Sequence, residues 1–212
     1  MSEVLLSTAY MAPVQYFSKI LKADTVVIEQ FENFTKQTWR NRCRIVAANG
    51  VQDLTIPVQK GRNRKILIKD IRLSYETNWQ HQHWQSIISA YNSSPFFEYY
   101  VDEFAPFFDK KYDFLMDLNQ DLLEIILEQL EIYPEIKMTD DFIPVTAEAN
   151  SDYRFAFSPK SQNQLPDPAF SPVEYTQVFS DKRSFEPNLS ILDLLFNTGP
   201  DTYDYLEKSI TE

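Results

Sequence analysis

Residues 4–28, VLLSTAYMAPVQYFSKILKADTVVI, decide the fold. Val4 to Leu6 is a short apolar run of the kind that forms a buried strand. From Pro13 to Leu21, Val14, Phe17, Ile20 and Leu21 recur at the spacing of one helical face. Asp24 follows as a turn residue, and Thr25 to Ile28 is rich in β-branched side chains that favour an extended chain. Strand, helix and strand in this order predict a parallel pair, and hence an α/β fold.

Working outward, the next segment carries a hairpin signal. Arg44 to Ala47 and Asp53 to Val58 flank Asn49-Gly50, a dipeptide that tolerates the positive φ of a tight turn. Ile66, Ile68, Ile71 and Leu73 suggest a further strand whose alternation slips at Asp70, where a bulge or bend is expected. Helical periodicity then dominates. Trp84, Ile87, Ile88 and Tyr91 mark one helix, and Ser94-Pro95 opens a segment over Phe96 to Phe108. Phe114, Leu115, Leu118, Leu122, Ile125, Ile126 and Leu130 mark the most regular helix.

After residue 133 the texture changes. Prolines 134, 144, 159, 166, 168, 172 and 187 predict an extended arm. Phe155, Phe157, Phe170, Tyr175 and Phe179 give that arm anchors to bury, so it is expected to wrap the core in order. Near the end, Ser190 and Asp193 have capping-box-like spacing at the start of a helix that Gly199-Pro200 closes. The expected organisation is an α/β core over 1–133, a proline-rich arm over 134–187 and C-terminal docking helices over 188–212, all in one structural domain. The sheet is expected to be small and mixed.

Composition excludes several function classes. With 212 residues, 43% of them hydrophobic, the chain has material for a sizeable core. No stretch approaches the roughly 20 apolar residues of a membrane span, and the start lacks the basic flank and apolar run of a signal peptide, so a cytoplasmic protein is expected. One cysteine and two histidines are poor material for a disulfide framework or a metal cage, and three glycines cannot build a phosphate-cradling loop. Neither a cofactor nor a metal is expected.

Charge is unevenly spread. The chain carries −11, yet between Lys36 and Arg72 ten basic residues face two acidic ones, a local +8. The average field repels nucleic acid. One reading of the basic segment is a charged strand edge from Lys60 to Lys69 that blocks aggregation. The other is an anion site, since guanidinium forks grip phosphate bidentately.

Taken together, the run AYMAPVQYFSKILKADTVVIEQFENFTKQTWRNRCRI, then NGVQDLTIPV, NWQHQHWQSIISAYNSSPFFEYY and FEPNLSILDLLFNTGP, resembles the WbqC-like family of bacterial proteins. The most telling elements are Tyr10, Tyr16 and Phe17, the Lys36, Trp39, Asn41, Arg42 cluster, and the series Trp79, His83, Tyr91, Pro95. The resemblance implies a place in O-antigen or other surface-polysaccharide biosynthesis. Many members carry Gln-Pro before the first aromatic and Pro-Trp after it. This chain has Ser7-Thr8 and Ala12-Pro13 there, so no role passes to those positions.

The candidate ligand-binding residues are Tyr10, Lys36, Trp39, Arg40, Asn41 and Arg42, which combine cations, an amide and flat rings suited to a ligand with a phosphate and a ring. The competing reading puts Arg40, Arg42 and Arg44 on the outer face of a strand, with Trp39, Cys43 and Ile45 inside. His83 and Asp24 are the candidate catalytic residues, against a core histidine and a turn aspartate respectively. His81 is expected to face solvent. Two functions stay open. One is a transferase acting on a nucleotide-activated or amino sugar. The other is a noncatalytic protein of the same pathway that binds a small anionic ligand or a protein partner, with a homo-oligomer also open.

Overall fold

The computed structural model describes residues 2–59, 65–145, 151–160, 162 and 165–211. Lys60, Arg62 and Arg64 of the expected charged edge lie outside the described residues.

The opening unit forms as its pattern dictates. β1 (Glu3–Ser7), α1 (Val14–Ile20) and β2 (Thr25–Glu29) make a strand, helix, strand crossover, with β1 and β2 parallel from Glu3↔Thr25 to Ser7↔Glu29. Leu6, Val26 and Ile28 are buried, which fixes the register, because a slip of one residue would turn them to the other face. A third parallel strand, β5 (Glu135–Met138), pairs with β2 on its far side. β5 falls within the stretch expected to be irregular. Its alternation of Glu135 and Lys137 with half-buried Ile136 and Met138 is that of an edge strand, and Pro134 precedes it without occupying a ladder position.

The hairpin joins β3 (Arg42–Ala47) to β4 (Gly50–Thr55) in antiparallel pairing. It forms its own two-stranded sheet and does not extend the parallel one, which corrects the expected single mixed sheet. Ala47 pairs with Gly50, so the loop is Ala48-Asn49, and Gly50 (φ +117°) supplies the positive φ just after it. The expected strand over Ile66 to Leu73 is a 3-10 turn at Ile68–Asp70 flanked by single bridges, Asn33↔Leu67 and Val58↔Leu73. Strict alternation from Ile66 and Ile68 would have turned Asp70 into the core. The tight turn buries Ile68 and Ile71 and leaves Asp70 exposed.

Helices α2 (Trp79–Tyr91), α3 (Phe97–Phe104), α4 (Pro106–Asp109) and α5 (Leu115–Gln129) follow. The segment expected over Phe96 to Phe108 divides at Pro106, whose ring and missing N–H end α3 just before it. α2 packs on β3, and α5 turns Leu115, Leu118, Leu122 and Ile126 inward. At the end, α6 (Ile191–Thr198) and α7 (Thr202–Lys208) are joined by a 3-10 turn at Gly199–Asp201. Ser190 caps α6 by accepting from Leu192 N–H. Phe196 drives the docking, because Tyr91, Phe97 and Phe104 all meet its ring edge-on, with centroids 5.3, 5.2 and 5.7 Å away. Edge-to-face pairs of this kind add to the gain from burial.

The arm is anchored along its described residues. Leu5 N–H donates to Ser151 O and Tyr153 N–H to Leu5 O, which adds a bridge to the outer edge of β1. Tyr175 is buried and Phe157, Phe170, Phe179 and Phe185 are half-buried while Lys182 and Arg183 are exposed, but Phe155, expected among the anchors, is 50% exposed. The arm and helices α6 and α7 cover α1 so fully that all seven of its residues, Lys19 included, are buried.

Candidate functional site

Three parallel strands end together at Ser7, Glu29 and Met138, and the chain leaving β2 turns back there through a 3-10 turn at Trp39–Asn41. The turn breaks strand parity just before β3. Its consequence is that Arg40 points inward: Nε and Nη2 donate to Glu32 at 2.7 and 2.6 Å, and Nη2 also donates to Ser7 Oγ at 2.8 Å. Beside this pair, Arg154 reaches Glu29 Oε2 at 3.0 Å with both side chains wholly enclosed, and it donates twice more to Asp152. Burying these charges is tolerable only because each guanidinium meets a carboxylate with matched geometry.

Trp39, itself only 8% exposed, borders a cleft of about 690 Å³ between the core and the arm. Arg44, farther along β3, lies 5.4 Å from the centroid of the Trp39 ring and donates to Pro159 O on the arm. That placement is a cation–π contact. Arg42 and Arg44 share the Asp53 carboxylate at 2.9 and 2.8 Å, so two cations are balanced by one anion, and of the three, Arg44 lines the cleft while Arg42 and Asp53 do not. Amides and acids line the cleft as well. Gln15 N–H donates to Asn188 Oδ1, and Asn188 Nδ2 donates back to Gln15 Oε1. The left-handed backbone of Asn188 (φ 54°) makes this reciprocal pair feasible. Asparagine is among the few residues that visit that region readily. Gln15 Nε2 and Lys19 Nζ both hold Asp167, while Glu186, Phe170, Ser158, Leu165 and four prolines also line the cleft. A flat ring, a guanidinium, paired amides and carboxylates in one concavity can stack on a ring, hold an anion and bond hydroxyls.

The other expected residues lie elsewhere. Tyr10 is buried, its N–H donating to Trp39 O. Its hydroxyl meets His83 Nδ1 at 3.0 Å. A backbone contact with Thr55 offsets part of the effect of burial on the ring. Burial lowers the His83 pKa to about 4 and keeps the ring neutral. Asn41 donates to Ile56 O, and its Oδ1 is buried without a partner. Lys36 is exposed and is not part of the cleft wall. Asp24 accepts from Ser2 N–H just before β2 begins, at the opposite end of the sheet from the Trp39 turn. Cys43 is buried, which pushes its thiol well above the usual range. His81 faces solvent.

Sequence reasoning did not single out Gln15, Asp167, Glu186 or Asn188. Gln15 lies off the apolar face read for α1, Asp167 and Glu186 belong to an irregular arm whose path no periodicity encodes, and Asn188 follows that arm directly. Among the described residues no group of three metal-ligating side chains is gathered. No described helix is long and apolar enough to cross a membrane.

The fold and the cleft define an α/β protein with a three-stranded parallel sheet, a separate hairpin and a proline-walled concavity. The chain belongs to the WbqC-like protein family, whose model matches residues 8–158 and 160–205. It is 28% identical over 215 residues to the uncharacterized protein Rv1507c of Mycobacterium tuberculosis, covering 90% of this chain and 91% of that one. No solved structure matches it.

Proposed function

We propose that this protein serves surface-polysaccharide biosynthesis by binding a sugar that carries phosphate, such as a nucleotide-activated sugar, in the cleft between Trp39 and the arm. The observation that carries the reading is the meeting of Trp39 and Arg44, from the basic segment, with Gln15, Asp167, Glu186 and Asn188 in one concavity of ligand size. Trp39 offers the accessible part of its indole beside Arg44, Arg44 and Arg42 offer an excess of positive charge beside Asp53, and the amides and carboxylates suit sugar hydroxyls. Arg40, Asn41 and Tyr10 support the Trp39 turn from within, and Lys36 contributes long-range attraction only.

Transfer chemistry on the bound sugar is the second reading. Glu186 favours it, because a carboxylate in the cleft wall is a base within reach of a ligand. His83 would need to release the Tyr10 hydroxyl to take part, and Asp24 is at the far end of the sheet. A thermal-shift screen against nucleoside diphosphate sugars, free amino sugars and nucleoside diphosphates tests the proposal, because a ligand bound only by the folded chain must raise its melting temperature. Stabilisation by a sugar nucleotide that disappears in Arg44→Ala supports it. Equal stabilisation of both proteins, or by inorganic phosphate alone, overturns it.

A further inference from the structure

A second concavity, of about 490 Å³, lies where the end of α5 meets α3 and the start of α7. Tyr100 and Tyr203 line it together with Glu128 and Glu131, and among the described residues no lysine, arginine or histidine does. We propose that this cleft binds an organic cation, an alkylammonium or guanidinium group, with the two tyrosine rings as walls and the glutamates as counter-ions.

The first support is a contrast within the chain itself. The rings of Tyr75, Tyr112, Tyr205, Phe31 and Phe114 each have a lysine or arginine of this chain 4.0 to 5.8 Å from the centroid. Among the described residues, Tyr100 and Tyr203 have no such partner, although both border a space of ligand size. The second support is the charge of the helix end. The C-terminus of α5 carries the negative pole of the peptide dipoles, where a basic residue is favoured, and its last turn holds none. Glu131 instead adds an anion there, on a left-handed backbone (φ 56°). Glycine or asparagine usually takes that conformation past a helix end. The Glu131 charge acts on the Tyr100 hydroxyl, raising the phenol's pKa after the larger effect of burial, so both side chains are within electrostatic reach of each other. Rings, carboxylates and helix carbonyls therefore all present negative potential to one cavity, and a cation from outside the chain complements it.

The source of the cation is either a small amine or a basic segment of another protein, and the test separates them. The full chain is titrated by calorimetry and by tyrosine ring NMR with tetramethylammonium, agmatine, an Arg-Lys tetrapeptide and the neutral isostere neopentyl alcohol. The cations bind and the alcohol does not, with affinity falling as salt rises. Tyr203→Ala and Glu131→Gln each weaken binding about threefold or more, and Tyr203→Phe, which keeps the ring face, stays within about twofold. Tyr203 is 40% exposed, so its variants keep the fold. Tighter binding of the tetrapeptide than of agmatine, by about tenfold, assigns a protein partner, and equal binding assigns a small amine. Neopentyl alcohol binding as well as tetramethylammonium, or cation binding untouched by both variants, overturns the proposal.

Discussion

Replacing Arg154 by alanine tests the claim that the arm is tied to the carboxyl end of the parallel sheet by buried charge. The Arg154 guanidinium donates to Glu29 Oε2 at 3.0 Å, to Ile143 O at 2.6 Å and to Asp152 at 2.9 and 2.6 Å. Removing it leaves Glu29, wholly enclosed, with Thr139, Phe31 and Ile143 as neutral donors but without a cation. Breaking one side of a buried pair costs about 3–5 kcal/mol. For a chain of this size each kcal/mol lowers the melting temperature by about 2–4 °C, so a fall of roughly 6–20 °C is expected by calorimetry. Glu29→Gln with Arg154→Ala together should be less damaging than the sum of the two by about 1 kcal/mol or more, because the uncompensated charge is gone. A loss under about 1 kcal/mol in Arg154→Ala, or strict additivity in the pair, would refute the reasoning.

The neutral His83 ring makes stability depend on pH. Its folded pKa of about 4 lies below the ordinary 6.5, so the unfolded chain takes up the proton first as pH falls. Stability therefore drops between about pH 6.5 and 4, by up to roughly 3 kcal/mol. Denaturant titrations of wild type and His83→Gln across that window check this, and parallel curves would contradict it. Phe196→Ala empties the centre of the aromatic cluster and should cost about 3–5 kcal/mol in urea unfolding. Gly199→Ala puts a methyl 2.5 Å from the Phe96 ring on a backbone of φ +55°. A loss of about 1–3 kcal/mol is expected from the same measurement.

Much of the frame is legible in the chain because it depends on local pattern. Residues 4–28 declare the parallel crossover, Leu115 to Leu130 declare α5, and Ser190 and Gly199 punctuate α6. β5 is less legible, since four residues with two charges carry little signal beside a proline. The hairpin is plain in the sequence, yet its membership of a separate sheet depends on contacts with α2 that no local pattern records. For the cleft, Trp39 stands out as a ring amid cations. The inward turn of Arg40 does not, because it rests on Glu32 waiting eight residues earlier and on a 3-10 turn that resets the alternation. Gln15, Asp167 and Asn188 meet across more than 150 residues of chain, a closure set by tertiary packing alone.

Entry of ligand beside Trp39 is reported by the indole N–H resonances of the three tryptophans. Trp39→Phe assigns the Trp39 signal, and a sugar nucleotide that stabilises the protein is then titrated into wild type. A saturable shift of the Trp39 resonance is expected, while that of Trp79, buried in the core beside His83, stays in place. Calorimetric binding with the Trp39 resonance unmoved would contradict it.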